Sequence, residues 1–421
     1  MTVLAEDGAA EAAHLEGSRG GRAAPAAKVI ASEAGLVPAP PYRGSWSSLD
    51  ITDGTEVKFP LKPIPRFDAT DDEALKLMRT GQPVVLTGTG LAEPLLNKWT
   101  LDYLGARVNP EANFLVKVSP GLFMHAEPSK NVCGYNFTSA VRWERMRFSE
   151  FMRQLEVPHT SAGGEREDRL YLQEGLTVEC FGQELANDYG GCNWNLLVEM
   201  KQAMGFGKLS DQLLLIGEKG TVTHAHFDEQ HNLYAQIHGQ KRAILVSPDQ
   251  WSRMYPHPVG HAADRQSQVD AYNPDLERHP AFAEVHGVEA VLEPGEVLYI
   301  PEMWWHMFEN RYDPYTVSAT FWFNIAKQSP EQVQIPIREP RMLVTVRRNL
   351  EKQVLQALRG PMAADFFRLW QLGKELPREL VAQQKALRDM CCSIMDPSDV
   401  EAFLAELVRG RFDLPLLTLA A

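Results

Sequence analysis

The stretch THAHFDEQHN, residues 223–232, sets three metal-ligating side chains at alternate positions: His224, His226 and Asp228. It reads as part of a strand, TVTHAHF running on toward NLYAQI, and side chains two apart on a strand share a face. At roughly 3.3 Å per residue, the first and third positions of an unbent strand lie about 13 Å apart. First-row metals bind nitrogen and oxygen ligands at about 2 Å. One ion can therefore take an adjacent pair, His224 with His226 or His226 with Asp228, and needs a third ligand from elsewhere. PGEVLYIPEMWWH, residues 294–306, offers one. Pro294-Gly295 makes a turn, residues 296–300 read as a strand, and Pro301 ends it. His306 follows, walled by Trp304 and Trp305, as a histidine at the end of a strand.

His226, Asp228 and His306 together supply two imidazoles and a carboxylate. That set fills one face of an octahedral ion and leaves three positions open, as in non-heme Fe(II) oxygenases; the same donors also suit zinc. An HxD pair alone is common on surfaces, and the distal histidine gives it weight. His224 is expected to be a satisfied or solvent-facing histidine. A keto-acid cosubstrate such as 2-oxoglutarate would chelate the metal, and its far carboxylate would need a cation and hydroxyl donors. Lys241, just beyond Gly239, is a candidate cation; Thr223, and Tyr171 in RLYLQ, are candidate hydroxyls.

The elements that must position these residues are mainly strands. From about 170 to 325 the chain reads RLYLQ, QLLLIGE, NLYAQI, RAILVSP, AVLEPGEVLYIP and YTVSATFWF, split by Gly and Pro turn signals. Short strands at this spacing indicate a sandwich or barrel. Ahead of them, DDEALKLMRTG reads as a short helix closed by Gly81 and PVVLTGT as a buried strand. Beyond about 330 the pattern turns helical, with Leu343, Val346, Leu350, Val354 and Leu358 at three- and four-residue steps. A last helix, SDVEAFLAELVRG, opens with Ser398 and Glu401 in capping-box spacing. The expected organisation is a disordered tail over 1–45, a catalytic domain over 46–330 with a helical and strand flank, and a helical region over 331–421. The formal charge of −13 in 421 residues gives no basic footprint for nucleic acid. Five cysteines without a CxxC pair point to a reducing compartment, and no apolar run approaches a membrane span. A cytoplasmic location, extending to the nucleus, is expected.

TVTHAHFDEQHNLYAQIHGQKRAILVSPDQ, YPHPVGHAADRQSQVDAYNPDLERHPAF and PGEVLYIPEMWWH resemble the JmjC-type asparaginyl hydroxylases of the factor-inhibiting-hypoxia-inducible-factor family. PIPR, PVVLTGT, RLYLQ, LLLIG and RNLEK match as well, from about residue 58 to 355, with RGRF recurring near the end. DRQSQVD goes beyond the general JmjC pattern. The resemblance implies a mainly β fold with flanking helices, a double-stranded β-helix (cupin/JmjC jelly roll) with a C-terminal helical region. It implies iron ligands His226, Asp228 and His306, since the family has no histidine at the place of His224. Lys241, Thr223 and Tyr171 match contacts to 2-oxoglutarate, and Asn232 matches a residue beside it. Arg265 and Gln266 match residues that hold the target amide, Gln173 a further substrate contact and Trp322 a wall of the site.

Fe(II), 2-oxoglutarate and O2 are thus the implied cofactor and cosubstrates. The implied reaction hydroxylates the β-carbon of a protein asparagine and releases succinate and CO2. Ankyrin-repeat proteins, a transcription factor's activation segment and a second copy of the chain are the implied partners. Two departures stand out: Thr320 replaces the family's asparagine beside the cosubstrate, and GLFMHAEPSK around Met124 and His125 lacks a tyrosine pair. Alternatives are a JmjC hydroxylase or demethylase acting on histidine, aspartate or methyl-lysine, a cupin-like binding module without catalysis, and a zinc enzyme.

Overall fold

The structure is a computed structural model that describes residues 49, 51–52, 54–159, 166–326 and 333–416. The tail expected over 1–45 lies outside them. The N-terminal half runs β1 (Leu61–Pro63), β2 (Arg66–Asp68), α1 (Asp72–Arg79), β3 (Val84–Thr87), α2 (Leu101–Gly105), β4 (Asn113–Ser119), β5 (Leu122–Phe123), β6 (Arg142–Arg147), α3 (Phe148–Glu156), β7 (Arg169–Gly175), α4 (Val178–Gly190) and α5 (Trp194–Met204). Eight strands follow: β8 (Leu209–Glu218), β9 (Val222–Phe227), β10 (Gln230–His238), β11 (Lys241–Val246), β12 (Gly287–Leu292), β13 (Val297–Ile300), β14 (Trp305–Glu309) and β15 (Tyr315–Asn324). The C-terminal region holds α6 (Pro340–Leu358), α7 (Pro361–Gln371), α8 (Arg378–Ile394) and α9 (Val400–Val408).

The strands form two sheets, one ordered β1-β12-β11-β14-β9-β5 and the other β2-β3-β13-β10-β15-β8-β7-β4-β6. From β8 to β15 the chain passes back and forth between them, the winding of a jelly roll. Alternation along the strands decides what faces what. In β10, Leu233, Ala235 and Ile237 pack on the outer side of the larger sheet with helix residues such as Leu104, Phe151, Phe181 and Leu197. Tyr234 turns inward to Phe123, Tyr171, Leu245 and Phe308 between the sheets. In β4, Phe114, Val116 and Val118 belong to the outer core. Each such aliphatic or phenyl side chain, fully buried, contributes about 1.5–3 kcal/mol. α1 forms as expected: Asp71 caps it by accepting from Glu73 N, and Gly81 follows at φ +64°.

Between β7 and β8, where the sequence reading named no strand, lie two helices whose apolar residues cover the outer face of the larger sheet. Three expectations are corrected. The strand through residues 223–232 does not run straight: β9 ends at Phe227 and β10 starts at Gln230, so Asp228 and Glu229 turn the chain from one sheet to the other. The last helix lacks its capping box; Asp399 sits at its N-cap and no side chain caps it. In α6 the buried stripe is not the full apolar series. Leu350 and Val354 are buried as expected, but Leu343 and Val346 are half-buried, while Arg347, Arg348 and Glu351 go inside with Val344. They do so because each meets an opposite charge: Arg347 meets Glu406 at 2.6 Å, Arg348 meets Asp264 at 2.7 Å and Glu229 at 2.8 Å, and Glu351 meets Arg411 at 2.9 Å.

Candidate metal centre and its surroundings

β9 and β14 pair antiparallel, and the register sets His226 directly opposite His306. Facing residues on neighbouring strands have Cβ atoms about 4.5–5.5 Å apart. This is how residues 80 apart in sequence meet: their rings lie 4.2 Å apart, centre to centre. His306 is the second residue of its own strand, β14, rather than the end of the one before. Asp228 joins from the turn after β9, held by its carbonyl, which accepts from Met303 N at 2.8 Å. Its Oδ2 lies 3.6 Å from His306 Nε2. One ligand atom from each of the three lies within 4.8 Å of the others, and among the described residues no other group of three or more such side chains converges this way.

The protons are arranged for ligation. His226 Nδ1 lies 2.7 Å from the His224 carbonyl and His306 Nδ1 3.0 Å from that of Trp304. A carbonyl only accepts, so both rings carry hydrogen on Nδ1 and keep a lone pair on Nε2. Burial, and then the neighbouring His306, hold the His226 pKa well below the usual histidine value, so this imidazole is neutral. Burial acts to raise the Asp228 pKa, but His306, His226 and Arg265 together carry it below the ordinary carboxylate value. The carboxylate is therefore ionised. Two imidazoles and an ionised carboxylate fit a divalent first-row metal. Phe227 and Trp305 meet edge to face at 4.8 Å beside the ligands, and Trp305 is fully buried.

His224 takes no part. It is buried, with Nε2 at 2.7 Å from the Ser267 carbonyl. It is the satisfied histidine of the two forms expected, not the solvent-facing one.

The segment 265–267 lies along the edge of β9. Phe227 N donates to the Arg265 carbonyl, Ser267 N donates to the Ala225 carbonyl, and Gln266 faces His226. Arg265 needs φ +70° to make this turn, a region that disfavours side chains. Its Nη1 donates to Asp228 Oδ1 at 3.1 Å. Gln266 is buried with its Oε1 unpartnered.

Deeper between the sheets, Lys241 is completely buried. Its Nζ donates to Tyr234 Oη at 2.7 Å and lies 3.4 Å from Ser318 Oγ. The rings of Tyr171, Tyr234 and Phe308 stand 5.3–5.7 Å from it. No carboxylate pairs with it among the described residues, and burial pushes its pKa down to about 7. Phe308 links this pocket to the metal ligands, stacked 4.3 Å from Tyr234 and 6.0 Å from the His306 ring. Thr223 accepts from Phe308 N at 2.8 Å. On the same inner face, cross-strand pairs set Asn232 against Trp322 and Tyr234 against Thr320. Asn232 Oδ1 and Thr320 Oγ1 are buried without partners, and Trp322 lies by the Asp228 carboxyl. Gln173, two residues after Tyr171 on β7, is half-buried on the same face of its strand. Two residues of this basin escaped the sequence reading. Tyr234 follows Asn232 by two, so strand alternation could have found it. Lys117 is the one charge inside the apolar strand NFLVKVS, which was a usable signal.

Comparisons with known proteins agree with this architecture. Residues 71–329 match the family described as Cupin-like domain. The chain is 28% identical over 264 residues to Jumonji C domain-containing protein 5 of Drosophila melanogaster, covering 62% of this chain and 59% of that protein. It is 28% identical over 250 residues to Lysine-specific demethylase JMJ30 of Arabidopsis thaliana, covering 59% and 51%. It is 27% identical over 231 residues to tRNA wybutosine-synthesizing protein 5 of Gallus gallus, covering 53% and 65%. The matches thus span less than two thirds of each of these relatives. The chain belongs to the family described as Cupin-like domain, and the relatives it resembles include proteins named for a Jumonji C domain.

Proposed function

We propose that this protein is an Fe(II)- and 2-oxoglutarate-dependent hydroxylase of protein side chains, with the asparaginyl β-carbon as target, as its resemblance to the factor-inhibiting-hypoxia-inducible-factor family implies. One observation carries the reading: a fully buried lysine, Lys241, meets no counter-ion among the described residues and sits one phenyl ring away from a His-Asp-His group. A buried ammonium is costly until an anion joins it. A keto acid with a second carboxylate supplies that anion while its other end reaches the metal. A pure binding module would have no need of the pair.

His226, Asp228 and His306 would hold iron, and iron with 2-oxoglutarate and O2 supplies the oxidising power that turns a C–H into a C–OH, with succinate and CO2 released. The chain's part is position and dryness. Lys241 and the hydroxyls of Tyr234, Tyr171, Thr223 and Thr320 receive the far carboxylate. Asn232 lies beside it. Gln266 Oε1, buried and unpartnered, accepts from the N–H2 of a primary amide, and this favours asparagine. Arg265 orients Asp228 and stands ready to donate to the amide carbonyl. Gln173 and Trp322 line the approach, and Trp304 and Trp305 exclude water.

The partner is a protein or peptide, with ankyrin repeats and activation segments the candidate classes. A second copy joins through the C-terminal helices, where Leu372 and Val381 are 45% and 49% exposed. The test is a peptide-array hydroxylation assay read by tandem mass spectrometry. Gain of one oxygen on asparagine, dependent on iron and 2-oxoglutarate, is the expected result. Gain on histidine or aspartate, or loss of a methyl group from lysine, would replace the asparaginyl reading. Zinc should inhibit; full activity with zinc in place of iron would sink the oxygenase reading.

A further inference from the structure

The C-terminal region reaches the metal centre's surroundings through one side chain. Arg411 lies just beyond α9 and is 1% exposed. Its Nε donates to the Pro256 carbonyl at 2.9 Å, and its Nη1 donates to Glu351 Oε1 at 2.9 Å and to the Leu407 carbonyl at 2.7 Å. Its guanidinium stands 4.3 Å from the centre of the buried Trp251 ring. Its own carbonyl accepts from Gln268 Nε2 at 2.9 Å, and the same amide donates to the Pro256 carbonyl at 3.2 Å. Glu351 accepts from Val259 N at 2.8 Å through its other oxygen. Arg411 thus touches both arms of one loop, Pro256 on the way out and Gln268 on the way back, and its partner Glu351 holds the stretch between them.

The two arms are bonded to each other and to β9. His257 N donates to the Gln266 carbonyl at 2.8 Å, and Gln268 N to that of Tyr255 at 2.9 Å. Ser267 N donates to the Ala225 carbonyl at 2.9 Å, and Phe227 N to that of Arg265 at 3.2 Å. The returning arm carries Gln266, opposite His226, and Arg265, which reaches Asp228 at 3.1 Å. The metal ligands have supports of their own. His226 and His306 face one another across β9 and β14, and Met303 N holds the Asp228 carbonyl. The loop side therefore fixes Arg265 and Gln266, and the β14 side fixes the ligands. A lysine at 411 would answer Glu351 but has no fork to reach the Pro256 and Leu407 carbonyls as well. We propose that Arg411 is a positioning residue: acting through Pro256 and Gln268, it sets Gln266 and Arg265 against the bound substrate, so the C-terminal region is part of the site. This rests on the oxygenase reading for the reaction it serves; the clasp itself does not depend on turnover.

The test removes the clasp without leaving a buried charge. Arg411→Met alone leaves Glu351 without its cation. Arg411→Met combined with Glu351→Gln takes out both charges and keeps an acceptor for Val259 N, and replacing a whole buried pair costs little stability. In the full chain carrying both changes, amide hydrogen exchange at His257, Ser267 and Gln268 should speed up about tenfold or more. Cobalt(II) affinity, which reads the ligands, should change by less than the roughly 10-fold of an outer-shell loss. With iron, 2-oxoglutarate and an asparagine peptide, peptide KM should rise about tenfold or more, the scale on which a small misplacement far from the chemistry acts. The KM for 2-oxoglutarate should not move, and succinate should be released in excess of hydroxyl installed. Arg411→Lys, which keeps a charge beside Glu351, should show the same pattern more weakly. A double variant with wild-type exchange, peptide KM and succinate yield overturns the proposal, because Arg411 would then only balance Glu351. So does loss of cobalt binding, or failure of both variants to fold, either of which assigns Arg411 to stability alone. If the wild type inserts no oxygen into any peptide, the oxygenase reading falls; faster exchange in the double variant still upholds the clasp, and unchanged exchange still overturns it.

Discussion

A buried lysine that no carboxylate meets among the described residues makes two opposite demands on its protein. Replacing Lys241 with methionine removes an uncompensated charge from the interior, so the ligand-free protein should gain stability, by about 1–4 kcal/mol on the scale of buried-ion replacements. The same variant should need at least roughly tenfold more 2-oxoglutarate, because a hydrogen bond to a charged group is worth about 1.5–3 kcal/mol. Thermal denaturation and succinate-release kinetics read the two effects; a variant that is both less stable and unchanged in cosubstrate requirement would remove Lys241 from the pocket. Its pKa adds a proton count. With the ammonium held at about 7 in the folded protein, Lys241 is largely neutral at pH 8 and charged at pH 6. An incoming carboxylate restores the charge, so 2-oxoglutarate binding should take up a proton at pH 8 and almost none at pH 6. Calorimetry in buffers of different ionisation heat checks this, and Lys241→Met should abolish the pH dependence. Asp228→Ala should end succinate formation and weaken iron binding beyond the roughly 10–100-fold typical of outer-shell changes. Wild-type turnover in that variant would refute the ligand set.

At the scale of elements, the centre depends on contacts made from outside the strands. Arg348 of α6 grips Asp264, next to Arg265, and Glu229, next to Asp228. Arg348→Met should destabilise the protein by about 3–5 kcal/mol, the loss expected when one member of a buried pair is removed. It should also loosen the 264–268 segment and raise the peptide KM more than that for 2-oxoglutarate. This is also where the sequence was least readable. His226 and Asp228 could be picked out because their spacing is local, and His306 because Pro-Gly and paired tryptophans mark its segment. A sandwich or barrel followed from alternation and turn residues, and the jelly-roll winding from the family resemblance. The turn at Asp228 was missed because FDEQHN carries no Gly or Pro turn signal, and the two helices after β7 because they sit within a run of strands. Arg347, Arg348 and Glu351 were unreadable as buried groups, whereas the apolar strand around Lys117 did carry a signal. Local pattern puts charges outside, and only partners far along the chain, or an absent anion, reverse that.

The whole molecule carries a buried set of histidines away from the metal ligands. His257 and His261 stack 4.1 Å apart, both ring nitrogens of His257 lack partners, and His279 is buried nearby. Burial holds His257 well below the ordinary value, His261 at about 3 and His279 at about 4. The unfolded chain protonates these rings near pH 6.5, where the folded chain does not. Their contribution to stability is therefore complete above about pH 6.5 and declines as pH falls toward the folded values. By pH 5 each ring accounts for up to about 2 kcal/mol. Urea midpoints should drop between pH 6.5 and 5, and His257→Leu should flatten that slope; an unchanged slope would clear His257 of the effect.

The grip of α6 on the two turns beside the ligands bears on how the protein can be divided. Trimming it to the strands alone, with a stop codon near residue 330, would strip the clasp from Asp264 and Glu229 and leave two acids unanswered at the rim of the centre. Such a fragment would be a damaged instrument, and inactivity measured on it would say nothing about the full chain.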